Sequence, residues 1–176
     1  MYKIAFSGLS LGHHTFEFFV DDAFFAEMWR VASPQNDNEF SNCHVNIKIN
    51  LEKTERFLKL DFQFDGHYVV PCDRCLDPIE IPIEHDETLI VNFGNENDFD
   101  SEVWTISAKE HELILNAFIY ETLVLLRPFS VMHEIEDCNQ DMIEKLQIET
   151  GNVPSPQQND PRWEALKTLK DKLDKQ

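Results

Sequence analysis

Four side chains in this sequence are suited to holding a soft metal ion, and they come as two close pairs: Cys72 with Cys75, and His133 with Cys138. A Cys-x-x-Cys spacing lets a tight turn bring two thiolates to one point, and imidazole plus three thiolates would complete a closed, tetrahedral structural site. Neutral imidazole with sulfur ligands suits Zn2+ better than magnesium or calcium. A lone Cys-x-x-Cys needs a second ligand pair, and here that pair falls in a stretch without clear period, so the spacing between the two pairs stays open. The turn Cys72-Asp-Arg-Cys75 also lacks the glycine that often accompanies a zinc knuckle.

Other chemistries compete for the same residues. A redox dithiol sits at a helix N-terminus, where the dipole lowers the thiol pKa. Here Leu76-Asp77-Pro78 and an alternating strand follow, which argues against that reading. Cys43 shares a strand face with Val45 and Ile47 and reads as a small core residue. Arg74 either points outward, to bind a partner's carboxylate or phosphate bidentately, or pairs locally with Asp73 or Asp77. Two-metal hydrolysis would need converging carboxylates, and Asp21–Asp22, Asp98 with Asp100, or Glu134, Glu136 and Asp137 could be nominated. With 33 acids in 176 residues such groupings arise by chance. No His-Glu, Ser-His or phosphate-cradling glycine motif accompanies them, so catalysis is not expected.

The elements that must position the cysteines follow from hydrophobic period. Tyr2–Gly8 reads as a strand and His14–Val20 as a second apolar stretch, with Asp21–Asp22 placed to cap a short helix through about Trp29. Ser33–Ser41 reads as a loop. Cys43, Val45, Ile47, Ile49 and Leu51 then alternate with polar residues, as do Leu58, Leu60, Phe62 and Phe64, and again Ile79, Ile81, Ile83, Leu89, Val91 and Phe93. Asp65–Gly66 carries the signature of a type I′ hairpin turn ahead of His67–Val70. Pro71, Pro78 and Pro82 place this part of the meander at an edge or a bulge. Ser107-Ala-Lys-Glu110 has the form of a capping box, opening a helix that carries Leu113, Ala117, Tyr120 or Glu121, and Val124 on one side and stops near Arg127, before Pro128. Phe16, Phe18, Phe19, Phe24 and Phe25 read as core rather than as an exposed patch. The expectation is an α+β fold: an antiparallel meander sheet or partly open barrel with one long helix, a short N-terminal helix and a C-terminal amphipathic helix. Residues 1–150 form the domain, 151–159 a linker, and 160–176 the terminal helix.

That terminal segment is a separate signal. Asp160-Pro161 sets a capping side chain before a proline at the first helical position, and Trp163, Leu166, Leu169 and Leu173 follow at helical spacing. So short a helix is marginal in water and should dock on its own body or on a partner. From Pro161 to Gln176 five basic and three acidic residues give about +2, which leaves −20 for the rest of a chain whose total is −18. A field of that sign repels phosphate, so contact with RNA or DNA would be indirect or weak, whereas a basic protein would be attracted. Acidity that serves only solubility stays open as an alternative. The 42% apolar composition with 14 Phe supports a packed core. Unevenly spaced cysteines, no leader-like N-terminus and no apolar run of spanning length point to the cytoplasm and away from a membrane.

At Cys72-Asp-Arg-Cys75-Leu76, with a proline just before, the sequence resembles the YceD family, the bacterial and plastid proteins described as large ribosomal RNA subunit accumulation proteins. The likeness extends to Ser7-Gly8-Leu9 and Leu11-Gly12 ahead of a Phe-rich strand, to Leu125-Leu126-Arg127-Pro128, to His133-x4-Cys138, and to Asp160-Pro161-Arg162-Trp163-Glu164-Ala165-Leu166 with Lys167, Leu169 and Lys170. Many members carry two or more thiols in the loop after the proline-terminated helix, where this chain has His133 and Cys138. The resemblance implies a role in synthesis, processing or stability of large-subunit (23S) rRNA, and it identifies no reaction. A non-catalytic assembly factor is therefore expected, with a basic large-subunit ribosomal protein or assembly factor as partner. Arg74, Arg162, Trp163, Lys167 and Lys170 are the candidate contacts, and Cys72, Cys75, His133 and Cys138 the candidate Zn2+ ligands. The alternatives are a metal-dependent nuclease acting on precursor rRNA and a zinc-stabilised scaffold with an unrelated partner.

Overall fold

The structure, a computed structural model, describes residues 1–32, 39–101 and 103–151, with side chains through residue 146. Of the expected linker at 151–159, Gly151 is the last residue of a helix and 152–159 lie outside the described residues, as does the expected helix at 160–176 with Arg162, Trp163, Lys167 and Lys170. Ten elements follow in order: β1 (Lys3–Ile4), β2 (Gly12–Val20), α1 (Asp22–Ala32), β3 (Ser41–Lys53), β4 (Phe57–Pro71), β5 (Pro78–Gly94), β6 (Trp104–Ser107), β7 (Leu113–Ile114), α2 (Asn116–Leu125) and α3 (Gln140–Gly151).

The alternating segments form an open five-stranded sheet in the order β2-β3-β4-β5-β6, antiparallel except where β6 runs parallel to the end of β5. It does not close into a barrel. Because side chains alternate across a strand, Val45, Ile47, Ile49 and Leu51 of β3 reach one face together with Leu58, Leu60, Phe62 and Phe64 of β4, and all are buried. Helices α1 and α2 cover that face. Phe25 of α1 stacks on Phe40 with ring centres 4.9 Å apart, and Phe118 of α2 lies 4.8 Å from Phe62. This is a sheet with helices on one side, the layering expected of an α+β domain. Cys43 is a core residue, 1% exposed. Phe19 departs from the aromatic core: at 47% exposure it stands on the open face beside His44. Asp21 accepts a hydrogen bond from the Phe24 backbone N–H at 3.1 Å and so caps α1.

Four expectations need correction. Asp65–Gly66 is not a turn. Strand β4 runs unbroken from Phe57 to Pro71, and burial stays on even-numbered residues through Phe64, Tyr68 and Val70. Gly66 is required there because the backbone of β3 crosses it: a Cβ would lie 2.0 Å from the His44 carbonyl oxygen. The β3–β4 register shifts between Ser41 and His44, and Asn42 takes a φ of +49°, so the close approach sits beside a bulge. Ser107–Glu110 opens no helix. It makes a turn closed by the Glu110 N–H on the Ser107 carbonyl, because Leu113 is claimed as a strand partner by Ile4, and α2 starts only at Asn116. The long helix is therefore a ten-residue one, although it does end just before Leu126-Arg127-Pro128 as expected. The first strand is likewise reduced to Lys3–Ile4.

The prolines behave as the meander predicts. Pro71 and Pro78 face each other at the end of the β4–β5 hairpin, beyond the last β3 pairing at Val69. β6 pairs only with Val91–Gly94, so at Pro78 and Pro82 strand β5 is paired with β4 alone and is an edge strand, the place where a residue without an N–H is tolerated. Among the described residues no helix is long and apolar enough to cross a membrane.

Candidate metal centre

The β4–β5 hairpin ends in the turn Cys72–Asp77, built by short-range bonds. The Cys72 N–H donates to the Asp77 carbonyl at 2.8 Å and the Leu76 N–H to the Cys72 carbonyl at 3.0 Å. The turn needs one residue at positive φ. No glycine is available, and Leu76 takes φ +64° instead, 65% exposed. A bulky residue in the left-handed region costs on the order of 1–2 kcal/mol, so the rest of the turn must hold it there.

The second half of the centre is the segment after α2, tied across the turn by a reciprocal pair. Asp73 N–H donates to the Val131 carbonyl at 2.8 Å, and the Asp73 carboxylate accepts the Val131 N–H at 2.7 Å. Arg127 adds an ion pair to Asp73 at 3.5 Å. These ties carry His133 over the turn, with its Nδ1 3.4 Å from the Cys75 sulfur. A single turn closed by Cys138 N–H on the Glu134 carbonyl brings Cys138 in, and α3 begins two residues later. Ile79 of β5 and Met142 and Ile143 of α3 pack around the three buried cysteines. Sequence pattern did not point to α3, and its Met142–Ile143 pair is the one local signal of this wall.

The four predicted ligand atoms, from Cys72, Cys75, His133 and Cys138, all lie within 4.8 Å of one another. Zinc with Zn–S bonds of about 2.3 Å places tetrahedral ligands about 3.8 Å apart, so the four would close on an ion with side-chain shifts of about 1 Å. The electrostatics favour the ligand form at the turn. Burial pushes the Cys72 thiol up, but the backbone N–H groups of Cys75, His133 and Arg74 and the Cys75 side chain outweigh it and bring it down to about 6. Cys75 is lowered despite desolvation, through the Asn139 and Asp77 backbone and His133. His133 is raised by its contact with the Cys75 sulfur. Cys138 is pushed up to about 11 by burial and by its two neighbouring thiols. Two thiolates beside a third buried thiol, with His133 and Arg74 as the neighbouring cations among the described residues, are costly unless neutralised. A divalent ion bound by all four would supply that neutralisation and pin the post-α2 segment to the hairpin.

Arg74 is turned into this assembly. One of its terminal nitrogens donates to the His133 carbonyl, while its Nε is buried and makes no hydrogen bond. The local pairing with Asp73 or Asp77 is not what holds it. Cys43 stands apart, pushed up to about 12 by burial and by a hydrogen bond to Asp22. The two kinds of thiol should differ in reactivity. With metal stripped, alkylation at neutral pH is expected to reach Cys72 at least about tenfold before Cys43, because the thiolate is the nucleophile. Peptide mapping by mass spectrometry reads the order, and first modification at Cys43 would contradict this electrostatic picture.

Three of the nominated carboxylates have other work. Asp21 caps α1, Asp22 accepts the Cys43 N–H at 2.7 Å, and Asp98 accepts the Asp100 N–H at 3.1 Å. Among the described residues, the Cys3His group is the place where three or more such ligands converge.

The profile of the family described as large ribosomal RNA subunit accumulation protein YceD matches residues 60–170. No curated protein and no solved structure matches the chain. The matched span exceeds half of the sequence and contains most of β4, the hairpin turn, all four candidate cysteine and histidine ligands, and the segment that ties them together. This chain therefore belongs to the YceD family.

Proposed function

We propose that the protein is a non-catalytic cytoplasmic factor that supports synthesis, processing or stability of large-subunit (23S) rRNA during ribosome assembly by holding a basic ribosomal or assembly protein. The observation that carries this reading is the net charge of −18 in a member of a family named for large-subunit rRNA accumulation. An acidic surface repels an RNA backbone and steers a basic protein toward itself, so a protein partner fits the field better than naked rRNA does. In this reading Cys72, Cys75, His133 and Cys138 hold Zn2+ as a structural clasp, and Arg74 supports the His133 backbone. Arg162, Trp163, Lys167 and Lys170 remain the terminal segment's candidate contacts.

A nuclease would need carboxylates gathered around a metal pair. The described carboxylates instead cap, bridge or face solvent, and the convergent ligands are sulfur and imidazole, which favour a closed structural site. The reading is tested by removing the protein from growing cells and measuring the ratio of 23S to 16S rRNA. The ratio is expected to fall and to be restored by the full chain. An unchanged ratio would refute the assembly role.

A further inference from the structure

Away from the cysteine centre, a pocket of about 470 Å³ opens between residues 97–100, β6, the 110–114 stretch and α2. Its apolar wall is Trp104, 8% exposed, with Phe99 packed edge-on at 4.9 Å and Ile114 left 49% exposed. Its other wall is acidic: Asp100, Glu110, Glu112 and Glu121 line it, and no described lysine or arginine does. Lys3 reaches Glu112 at 2.8 Å from outside the lining, and Asn97 approaches Glu110 at 3.4 Å. The carboxylates of Asp100 and Glu121 accept no hydrogen bond and join no ion pair among the described residues, and the Trp104 indole N–H has no partner among them either.

We propose that this pocket takes an arginine or lysine side chain from a basic protein segment. A long basic side chain joins an apolar stem to a cationic head. The stem would lie along Ile114 and the aromatic pair, whose ring faces attract cations, while the head would meet Asp100 and Glu121 in charge-assisted bonds. The free indole N–H is a donor for a peptide carbonyl, which a protein segment supplies and a simple cation does not. Solvated carboxylates alone would need no apolar wall, and an apolar ligand would leave the acids unpaired. The proposal rests on the basic-partner reading above and locates its binding point.

The test uses the full chain and a fluorescein-labelled peptide of alternating glycine and arginine, with a citrulline version as the uncharged control. The arginine peptide is expected to bind, and citrulline to weaken it by about tenfold or more, since charge-assisted bonds to the acids lining the pocket carry the recognition. The double variant Asp100→Asn/Glu121→Gln is expected to weaken binding by a similar factor. Glu84→Gln/Asp86→Asn, which removes equal charge from exposed residues of β5, should leave it within about twofold. Equal weakening by both double variants, no weakening by the first, or no binding to the unaltered chain would overturn the proposal. The same variants on gradients of large-subunit precursors separate the two claims. Precursor association that survives Asp100→Asn/Glu121→Gln, with peptide binding absent, removes the pocket and keeps the assembly role. Peptide binding by a chain that associates with no precursor does the reverse.

Discussion

Replacing Cys72 with serine is expected to abolish metal retention and to lower the melting temperature by on the order of 10 °C. Protein purified without an affinity tag should carry about one zinc per chain, and Cys72→Ser almost none. A structural zinc contributes folding free energy directly, and loss of several kcal/mol moves the midpoint of a domain this size by about 2–4 °C per kcal/mol. The damage should be local. The sheet and the α1–α2 layer have their own core, whereas the segment from Pro128 to Asn139 is held by the centre and by the Asp73 and Arg127 ties. Proteolysis is therefore expected to cut first within that segment. Cys43→Ala, at a buried thiol outside the centre, should keep its zinc. The pH dependence has a definite sign. The Cys72 thiol is depressed to about 6 from an ordinary 9.0, so the stabilisation of its thiolate is complete above about pH 9 and disappears as pH falls through about 6. Metal should be released on acidification through that range. Unchanged zinc content in Cys72→Ser would remove the centre from the account.

Gly66→Ala should be as damaging for a reason unrelated to metal. The added Cβ would stand 2.0 Å from the His44 carbonyl oxygen and 2.7 Å from the Val45 Cα, both backbone atoms of a central strand, at a φ of +154°. Neither strand can retreat without breaking the β3–β4 ladder, which runs from Ser41 to Lys53. A cost above about 4 kcal/mol is expected, or a fall of more than about 10 °C in the melting temperature. Thermal denaturation followed by circular dichroism reads it, and a loss below about 1 kcal/mol would show that the strands do not cross this closely.

The contrast between these two sites explains what a reader of the sequence can and cannot see. The sheet was legible because strand period is local: Val45 to Leu51 and Leu58 to Phe64 announce their buried face within a few residues. Asp65–Gly66 misleads because Asp-Gly has one signature for two causes. A turn requires only neighbouring residues, whereas the actual cause is the His44 backbone, twenty-two positions earlier in the chain. Ser107 and Glu110 mislead in the same way, since a capping box is a local pattern and the strand pairing of Leu113 with Ile4 is not. Residue types and spacings single out Cys72, Cys75, His133 and Cys138 as two pairs, but the convergence of the four depends on the Asp73–Val131 ties, which no periodicity reveals. The inward turn of Arg74 follows from that same contact. The acid-and-aromatic pocket gathers residues from 97 to 121 whose carboxylates look, in sequence, like any other acids of a strongly acidic chain.

The cysteine clasp and the acidic pocket divide the proposed work between them. The first fixes the hairpin tip to the chain that follows α2, and the second offers a place for a basic side chain. Zero-length carbodiimide crosslinking in growing cells tests the central claim most directly, because it joins this chain's carboxylates only to amines in direct contact. The account predicts crosslinks to lysines of a basic large-subunit or assembly protein, recovered in fractions that contain large-subunit precursors. Crosslinks confined to proteins outside those fractions would contradict it.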